Sequence, residues 1–177
     1  MQAVVFLNGR LPDIKIIKKF LHKNTLIIAA DGGANYLKEI KLSAHFVIGD
    51  FDSINEASLA HFKKKQTVVI QENDQETTDF EKALKLCIKN KVKGITVFGA
   101  TGMRPDHTLN NFSILKRFYK KINIVLITDE FAVFYLPKRF SFNYKSGETV
   151  SLVPMPIAAG VKTKGLMYPL NNETLEF

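Results

Sequence analysis

The chain has 177 residues, 46% of them hydrophobic and 24% charged, so it can bury one ordinary core or a main domain with a smaller second one. No stretch reaches the roughly 18 consecutive apolar residues of a membrane-spanning helix, and the apolar start lacks the basic flank of a signal peptide, so we expect a cytoplasmic protein without a membrane partner. The net charge of +8 comes mainly from lysines spread along predicted helices, which favours a solvated surface over a nucleic-acid-binding face, and one cysteine excludes an internal disulfide.

Short apolar runs alternate with helix-like stretches up to about residue 121, a pattern typical of a parallel sheet with helices on both faces. Predicted strands lie at residues 3–7, 25–30, 45–48, 67–70, 94–98 and 122–127. Predicted helices lie at residues 13–23, 34–41, 54–65, 78–91 and 107–121. In the fourth helix, apolar residues from Phe80 to Ile88 recur at i, i+3, i+4, i+7 and i+8, which gives it one apolar face.

The pattern changes from about Asp129 onward. Residues 130–136 and 148–155 carry strand signals, and no helix-like stretch separates them. We therefore predict an α/β domain over residues 1–128 and a smaller antiparallel β domain over residues 129–177.

Four polar stretches follow predicted strands of the first domain, at the edge where open parallel sheets bind ligands. They are residues 31–35, 49–53, 74–79 and 99–107. Two of them carry two aspartates each, so Asp50, Asp52, Asp74 and Asp79 gather on one edge. Clustered carboxylates repel one another unless a cation compensates, and Mg²⁺ is commonly held by one or two carboxylates together with substrate phosphates. The sequence therefore predicts a magnesium site here.

Each aspartate also has a simpler interpretation. Ser53 with Glu56, and Thr78 with Glu81, have the spacing of a capping box, and the aspartates beside them would then only complement helix dipoles. For any one site this interpretation stays open, but it does not explain why the carboxylates cluster.

The stretch GATGMRPDH supplies groups that suit phosphate. Its glycines, Gly99 and Gly102, let backbone N–H groups approach a ligand beside a helix start, and Arg104 offers a planar fork for phosphate oxygens. It is neither a P-loop nor a G-x-G-x-x-G fingerprint, and an ordinary turn is the alternative. A magnesium site facing such a loop is typical of an enzyme that transfers part of a nucleoside triphosphate.

Four motifs together, ADGGANYL, VIGDFDSI, DQETTDFEKAL and GATGMRPDHTLNNFSIL, resemble in order and spacing the motif series of thiamine pyrophosphokinases. The resemblance covers residues 29 to 115 and extends to residues 165–177. It implies a transferase that uses Mg²⁺ and moves the pyrophosphoryl group of ATP to the hydroxyl of thiamine, giving thiamine diphosphate and AMP. It also implies an ATP-binding α/β domain, a β-sandwich domain that contributes to thiamine binding, and a homodimer.

The resemblance assigns roles residue by residue. Asp50, Asp52 and Asp79 match its metal and phosphate site, while Arg104 and Asp106 match a segment that handles ATP phosphates and the reacting hydroxyl. The other contacts with nucleotide or substrate that it implies are Asp31, Asn35, Gln75, Thr78, Gly99, Thr101, Gly102, His107 and Asn110.

This sequence departs from the family pattern in two ways. Met103 stands where many members have glycine, and Pro105 where an apolar residue is common. Members also continue through a further strand, so we expect the β domain to be incomplete at its C-terminal end.

Two other functions remain open at this stage. The same edge motifs would serve a pyrophosphokinase acting on another primary alcohol, such as a pterin, and the basic charge would suit a non-catalytic nucleotide-binding or nucleic-acid-binding module. Acidic residues on the ligand edge disfavour a polyanion, so we expect no nucleic-acid partner. Either Asp79 or Asp106 is expected to accept the proton of the reacting hydroxyl.

Overall fold

The computed structural model describes residues 1–177, which form nine strands and five helices. In chain order these are β1 (Gln2–Phe6), α1 (Ile14–Lys18), β2 (Thr25–Ala30), α2 (Gly33–Glu39), β3 (Phe46–Gly49), α3 (Glu56–Lys63), β4 (Val68–Gln71), α4 (Asp79–Lys89), β5 (Gly94–Phe98), α5 (Pro105–Phe118), β6 (Asn123–Ile127), β7 (Ala132–Val133), β8 (Ile157–Lys162) and β9 (Asn171–Glu176). None of the helices is both long enough and apolar enough to cross a bilayer.

Seven strands form one sheet in the order β4-β3-β2-β1-β5-β6-β7. All neighbours pair in parallel except β6 and β7, which are antiparallel. The order runs backward from β4 to β1 and then forward from β5, so the direction of winding reverses between β1 and β5. In open α/β sheets, ligands bind in the crevice that such a reversal leaves at the carboxyl ends of the strands.

Helices cover both faces of this sheet, and alternate strand residues point to each face. On one face Val5 packs in a buried cluster with apolar residues of α4 and α5, including Leu84 and Ile114. On the other face Phe6 packs with residues of α1, α2 and α3, including Leu37. The α/β parallel sheet with flanking helices is therefore confirmed.

The chain divides into two compact units, Met1–Leu136 and Pro137–Phe177. The division falls later than the one predicted after residue 128, because β7 pairs with β6 and so joins the first sheet. The second unit contains one two-stranded antiparallel sheet, β8 with β9. The predicted strand at residues 148–155 is absent, and that at residues 130–136 is reduced to the two residues of β7.

Candidate functional site

Three carboxylates from separate segments meet at the carboxyl edge of the first sheet. Asp31 directly follows β2, Asp50 directly follows β3, and Asp79 is the first residue of α4. One oxygen of each lies within 4.8 Å of the others, with Asp31 buried and the other two partly buried. We call this group the aspartate triad. It contains two of the three predicted metal ligands, Asp50 and Asp79, and the third member is Asp31, which was predicted only as a substrate contact.

The backbone beside the triad makes this close approach possible. Asp31 has a left-handed conformation, with φ of 43°, which aspartate tolerates better than most residues. Gly49 lies directly against it: a Cβ at this position would be 2.8 Å from Asp31 Cβ and 3.2 Å from Asp79 Oδ1. Only glycine leaves this space open, so Gly49 permits the triad to assemble.

Asp31 and Asn35 also brace the loop that follows β3. Asp31 Oδ2 accepts a hydrogen bond from the Ser53 amide at 3.1 Å, and Oδ1 accepts one from the Ile54 amide at 3.2 Å. Asn35 Nδ2 donates to the Ser53 carbonyl at 3.0 Å, and its Oδ1 accepts from the Asn55 amide at 3.1 Å. The predicted DGGAN stretch is therefore joined to the GDFDSI stretch through side-chain hydrogen bonds.

Asp52 lies near the triad but outside it. Its Oδ1 accepts a hydrogen bond from the Ser53 hydroxyl at 2.8 Å, and its negative charge contributes to raising the pKa of both Asp31 and Asp79. The predicted capping box of Ser53 with Glu56 is wrong, because α3 is capped by Asn55, whose Oδ1 accepts from the Ser58 amide at 2.8 Å.

The residues of the predicted loop 74 to 79 do not all lie at the triad. Asp74 accepts hydrogen bonds from the Glu76 amide and the Thr77 hydroxyl, both at 2.9 Å, and the first of these is the main reason that its pKa is lowered. It is exposed and closes its own turn. Gln75 instead reaches the triad, since its Nε2 donates to Asp50 Oδ2 at 3.3 Å.

The start of α4 confirms the second predicted capping box. Thr78 Oγ1 accepts from the Glu81 amide at 3.3 Å, and Glu81 Oε2 accepts from the Thr78 amide at 3.4 Å. Glu81 is buried and also pairs with Arg117 of α5 at 2.8 Å. The capping box thereby fixes the first turn of α4, which carries Asp79, and the ion pair of Glu81 attaches this turn to α5.

The triad is electrostatically unfavourable without a cation. Burial, and then the negative charge of Asp79, raise the pKa of Asp31 from 3.8 to about 6. Burial is also the main cause that raises the pKa of Asp79, and a hydrogen bond and ion pair with Lys82 work against it. Three converging carboxylate oxygens are the donors that a hard divalent cation such as Mg²⁺ prefers, so the residues present fit the predicted metal.

Lys82 is a component that the sequence analysis missed. Its Nζ lies 3.1 Å from Asp79 Oδ1, one helical turn along α4, and its side chain is only 2% exposed. The spacing of i and i+3 between an aspartate and a lysine was the available signal. An i, i+3 pair of this kind is common on solvent-exposed helix faces, so the spacing alone does not indicate that Lys82 is buried.

The loops after β1 and β5 are joined at the point where the winding reverses. Beyond the strand ends, the Gly9 amide donates to the Gly99 carbonyl at 2.9 Å, and the Arg10 amide donates to the Thr101 carbonyl at 2.8 Å. A Cβ on Gly9 would lie 2.3 Å from the Gly99 oxygen, so only glycine allows this contact. We call this pair of loops the switch-point clasp.

Arg104 and Asp106 form a two-pronged ion pair in the predicted phosphate segment. Arg104 Nε donates to Asp106 Oδ1 at 3.2 Å and Nη2 donates to Oδ2 at 2.5 Å, and both side chains are exposed. The pair raises the pKa of Arg104 and lowers that of Asp106. His107 and Asn110 are exposed on α5, which is tied to the loop by a 2.7 Å hydrogen bond from Asn111 Nδ2 to the Ala100 carbonyl.

A cavity of about 340 Å³ adjoins the switch-point clasp within the first unit. It is lined by Arg10, Pro12, Thr101, Gly102, Phe112, Thr128, Asp129, Glu130, Phe131 and Val133. Of these, the sequence analysis had identified only Thr101 and Gly102. Arg10 was missed because β1 and β5 are far apart in the chain, and only the strand order shows that their loops are neighbours.

Comparison with known proteins gives consistent matches over both units. Residues 17–126 match the family model described as thiamin pyrophosphokinase, catalytic domain, and residues 137–177 match that described as thiamin pyrophosphokinase, vitamin B1 binding domain. Thiamine pyrophosphokinase 1 of Oryza sativa subsp. japonica is 30% identical over 203 residues, which cover 99% of this chain and 76% of the relative.

Two bacterial comparisons agree with this. The thiamine pyrophosphokinase of Bacillus subtilis (strain 168) is 28% identical over 159 residues, covering 86% of this chain and 74% of the relative. A crystal structure of thiamine pyrophosphokinase from Bacillus subtilis superposes with a TM-score of 0.86 at 24% identity, covering 99% of this chain and 85% of that one. The latter shows that the two chains have the same fold.

Proposed function

Because this chain belongs to the thiamin pyrophosphokinase family, we propose that it transfers the pyrophosphoryl group of ATP to the hydroxyl of thiamine, giving thiamine diphosphate and AMP. The observation that carries this proposal is the aspartate triad, in which Asp31, Asp50 and Asp79 converge from three segments at one edge of the sheet. Such a cluster of carboxylates is suited to an ion that accompanies nucleotide phosphates.

The metal ligands in this proposal are the three members of the triad. A divalent cation, Mg²⁺ in the proposal, would offset phosphate charge and orient the phosphate groups. Asp52 adds negative charge next to these ligands, and Gln75 holds Asp50 through its amide. The donor set supports the metal, as do the raised pKa values of Asp31 and Asp79, because ionised carboxylates so close together need compensation.

We assign the base and ribose of ATP to the cavity beside the switch-point clasp. Phe112 and Phe131 provide aromatic walls for a purine, and Asp129 and Glu130 provide acceptors for ribose hydroxyls. The clasp itself, with the Arg10 side chain at the cavity, would face the phosphates. This places the nucleotide where doubly wound sheets bind their ligands.

Asp79 and Asp106 are the two candidates for the proton acceptor. The Arg104 guanidinium lowers the pKa of Asp106 and so weakens it as a base. Burial raises the pKa of Asp79 in the ion-free protein, but a divalent cation bound to this carboxylate would lower its pKa again, so the proposal keeps both residues as candidates. Phosphoryl transfer places little demand on early deprotonation, so a carboxylate that accepts the proton late is sufficient.

Three further elements complete the proposal. Residues 137–177 contribute to thiamine binding, which their match to the vitamin B1 binding model supports. The enzyme is a homodimer and works in the cytoplasm. Sedimentation of the purified protein at micromolar concentration tests the dimer directly.

The function is tested by incubating purified protein with ATP, Mg²⁺ and thiamine, and separating AMP from ADP. We expect AMP and thiamine diphosphate in equal amounts, and no product with a pterin alcohol in place of thiamine. Asp50→Asn should lower kcat at least about 100-fold. Even the loss of a residue that only hydrogen-bonds to a metal ligand lowers metal affinity or activity by about 10- to 100-fold. Asp74→Asn is the matched control, because Asp74 lies outside the triad. Formation of ADP, or turnover only with the pterin, would contradict the proposal.

A further inference from the structure

Lys82 is an unusual residue to find in the interior of α4. Its side chain is 2% exposed, and it lies in a helix in which Phe80, Ala83 and Leu84 are also buried. Its ionic partner is Asp79, at 3.1 Å. Burying an ammonium group is costly, and an apolar side chain of similar volume is often as stable or more stable than a buried ion pair. Fold stability alone therefore does not account for a lysine at this position.

The negative charge of the aspartate triad suggests an electrostatic role for Lys82. Asp79 belongs to the aspartate triad, so the ammonium group lies beside a cluster that would carry three negative charges when ionised. One positive charge in contact with the cluster reduces its repulsion without needing any bound ion. The same charge reduces the attraction between the cluster and a free divalent cation.

We propose that Lys82 is a built-in counter-cation of the triad. It positions Asp79 before any divalent ion is bound, and it weakens the binding of the free ion. The ion then binds together with the nucleotide phosphates, whose negative charge restores the attraction for the ion that Lys82 reduces. Lys82 is thus a positioning residue, and this inference rests on the proposed metal-dependent function.

The experiment compares wild type with Lys82→Met and Lys85→Met in the full chain. Methionine fills a similar volume without charge, and Lys85 is the matched control because it is an exposed lysine of the same helix. Mn²⁺ is titrated without nucleotide at pH 8, and bound ion is measured by calorimetry. K82M should bind Mn²⁺ at least about tenfold more tightly than wild type, because a nearby positive charge is gone, and K85M should differ by less than about twofold.

A second readout uses the thermal midpoint with and without Mn²⁺. Tighter binding to the folded state gives a larger midpoint rise, so Mn²⁺ should raise the midpoint of K82M more than that of wild type. A non-hydrolysable ATP analogue should narrow the difference in Mn²⁺ affinity. Unchanged or weaker Mn²⁺ binding by K82M overturns the proposal, as does a K82M protein that stays unfolded even with Mn²⁺, which would show that the lysine is structural.

These outcomes separate this inference from the proposed function. If the wild-type enzyme makes no AMP but K82M still binds Mn²⁺ more tightly, the role of Lys82 stands and the assigned reaction fails. If AMP forms but the Mn²⁺ affinities are equal, the reaction stands and the role of Lys82 fails.

Discussion

The carboxylate of Asp31 has two roles that conflict in their electrostatics. Both of its oxygens accept backbone hydrogen bonds from the loop after β3, which favours the ionised form. The same group is buried and faces Asp79, which favours the neutral form and prevails in its pKa. The loop is thus held by a group that is costly to ionise in the absence of a cation.

This conflict predicts a measurable pH dependence of the metal-free protein. The pKa of Asp31 is about 6 in the folded state against 3.8 ordinarily, so the folded chain retains a proton that the unfolded chain has released. The free energy of unfolding should therefore fall, by at most about 3 kcal/mol, as pH rises from about 4 to about 6. Urea unfolding of wild type and Asp31→Asn over this range, without divalent ions, measures the difference. Parallel curves would show that Asp31 makes no such contribution.

Met103 predicts a second effect at the scale of one residue. It has φ of 60° and is 75% exposed, so it occupies a left-handed conformation without burying its side chain. Relief of about 1–2 kcal/mol of strain exceeds the entropic cost of glycine, about 0.5–1 kcal/mol. Met103→Gly should therefore be more stable to urea than Met103→Ala, which keeps the Cβ, by about 0.5–1 kcal/mol. Equal stability of the two variants would argue against strain at this position.

At the scale of single elements, the start of α4 connects local sequence to the site. The capping box of Thr78 and Glu81 sets the first turn, and Asp79 is the residue directly after the cap. Thr78→Ala should lower the free energy of unfolding by about 1 kcal/mol, while Thr78→Ser should keep most of it, because serine can accept the same hydrogen bond. Chemical denaturation of the two variants measures this, and a T78A protein as stable as T78S would show that the cap contributes nothing.

The agreement between predicted and observed bounds differs from one strand or helix to the next. The bounds of β2 and β5 agree with their apolar runs, and those of β1 and β3, which also pair on both sides, differ from the predicted ranges by one residue. Helix α1 is shorter than predicted because Lys19, Phe20 and Leu21 donate to carbonyls three residues back, which tightens the last turn. Residues 148–155 have strand-like composition but no partner strand, and pairing is what their sequence cannot supply.

At the scale of the whole molecule, the sequence predicted which edge of the sheet carries the site but not how its residues are grouped. Asp50 and Asp79 were identified because each follows a recognisable signal. The position of Asp31 beside them depends on β2 and β3 being neighbours, and the position of Arg10 depends on β1 and β5 being neighbours. Strand order follows from the packing of the complete chain, so these neighbours were not visible in any local pattern.

The switch-point clasp has a consequence for how distant substitutions act. Gly9 and Arg10 hold the backbone of Gly99 and Thr101 by hydrogen bonds that continue beyond the strands. A displacement of one loop is therefore transmitted to the other. Substitutions in β1 that shift Gly9 or Arg10 would therefore also displace the loop after β5, which faces the nucleotide in the proposed function.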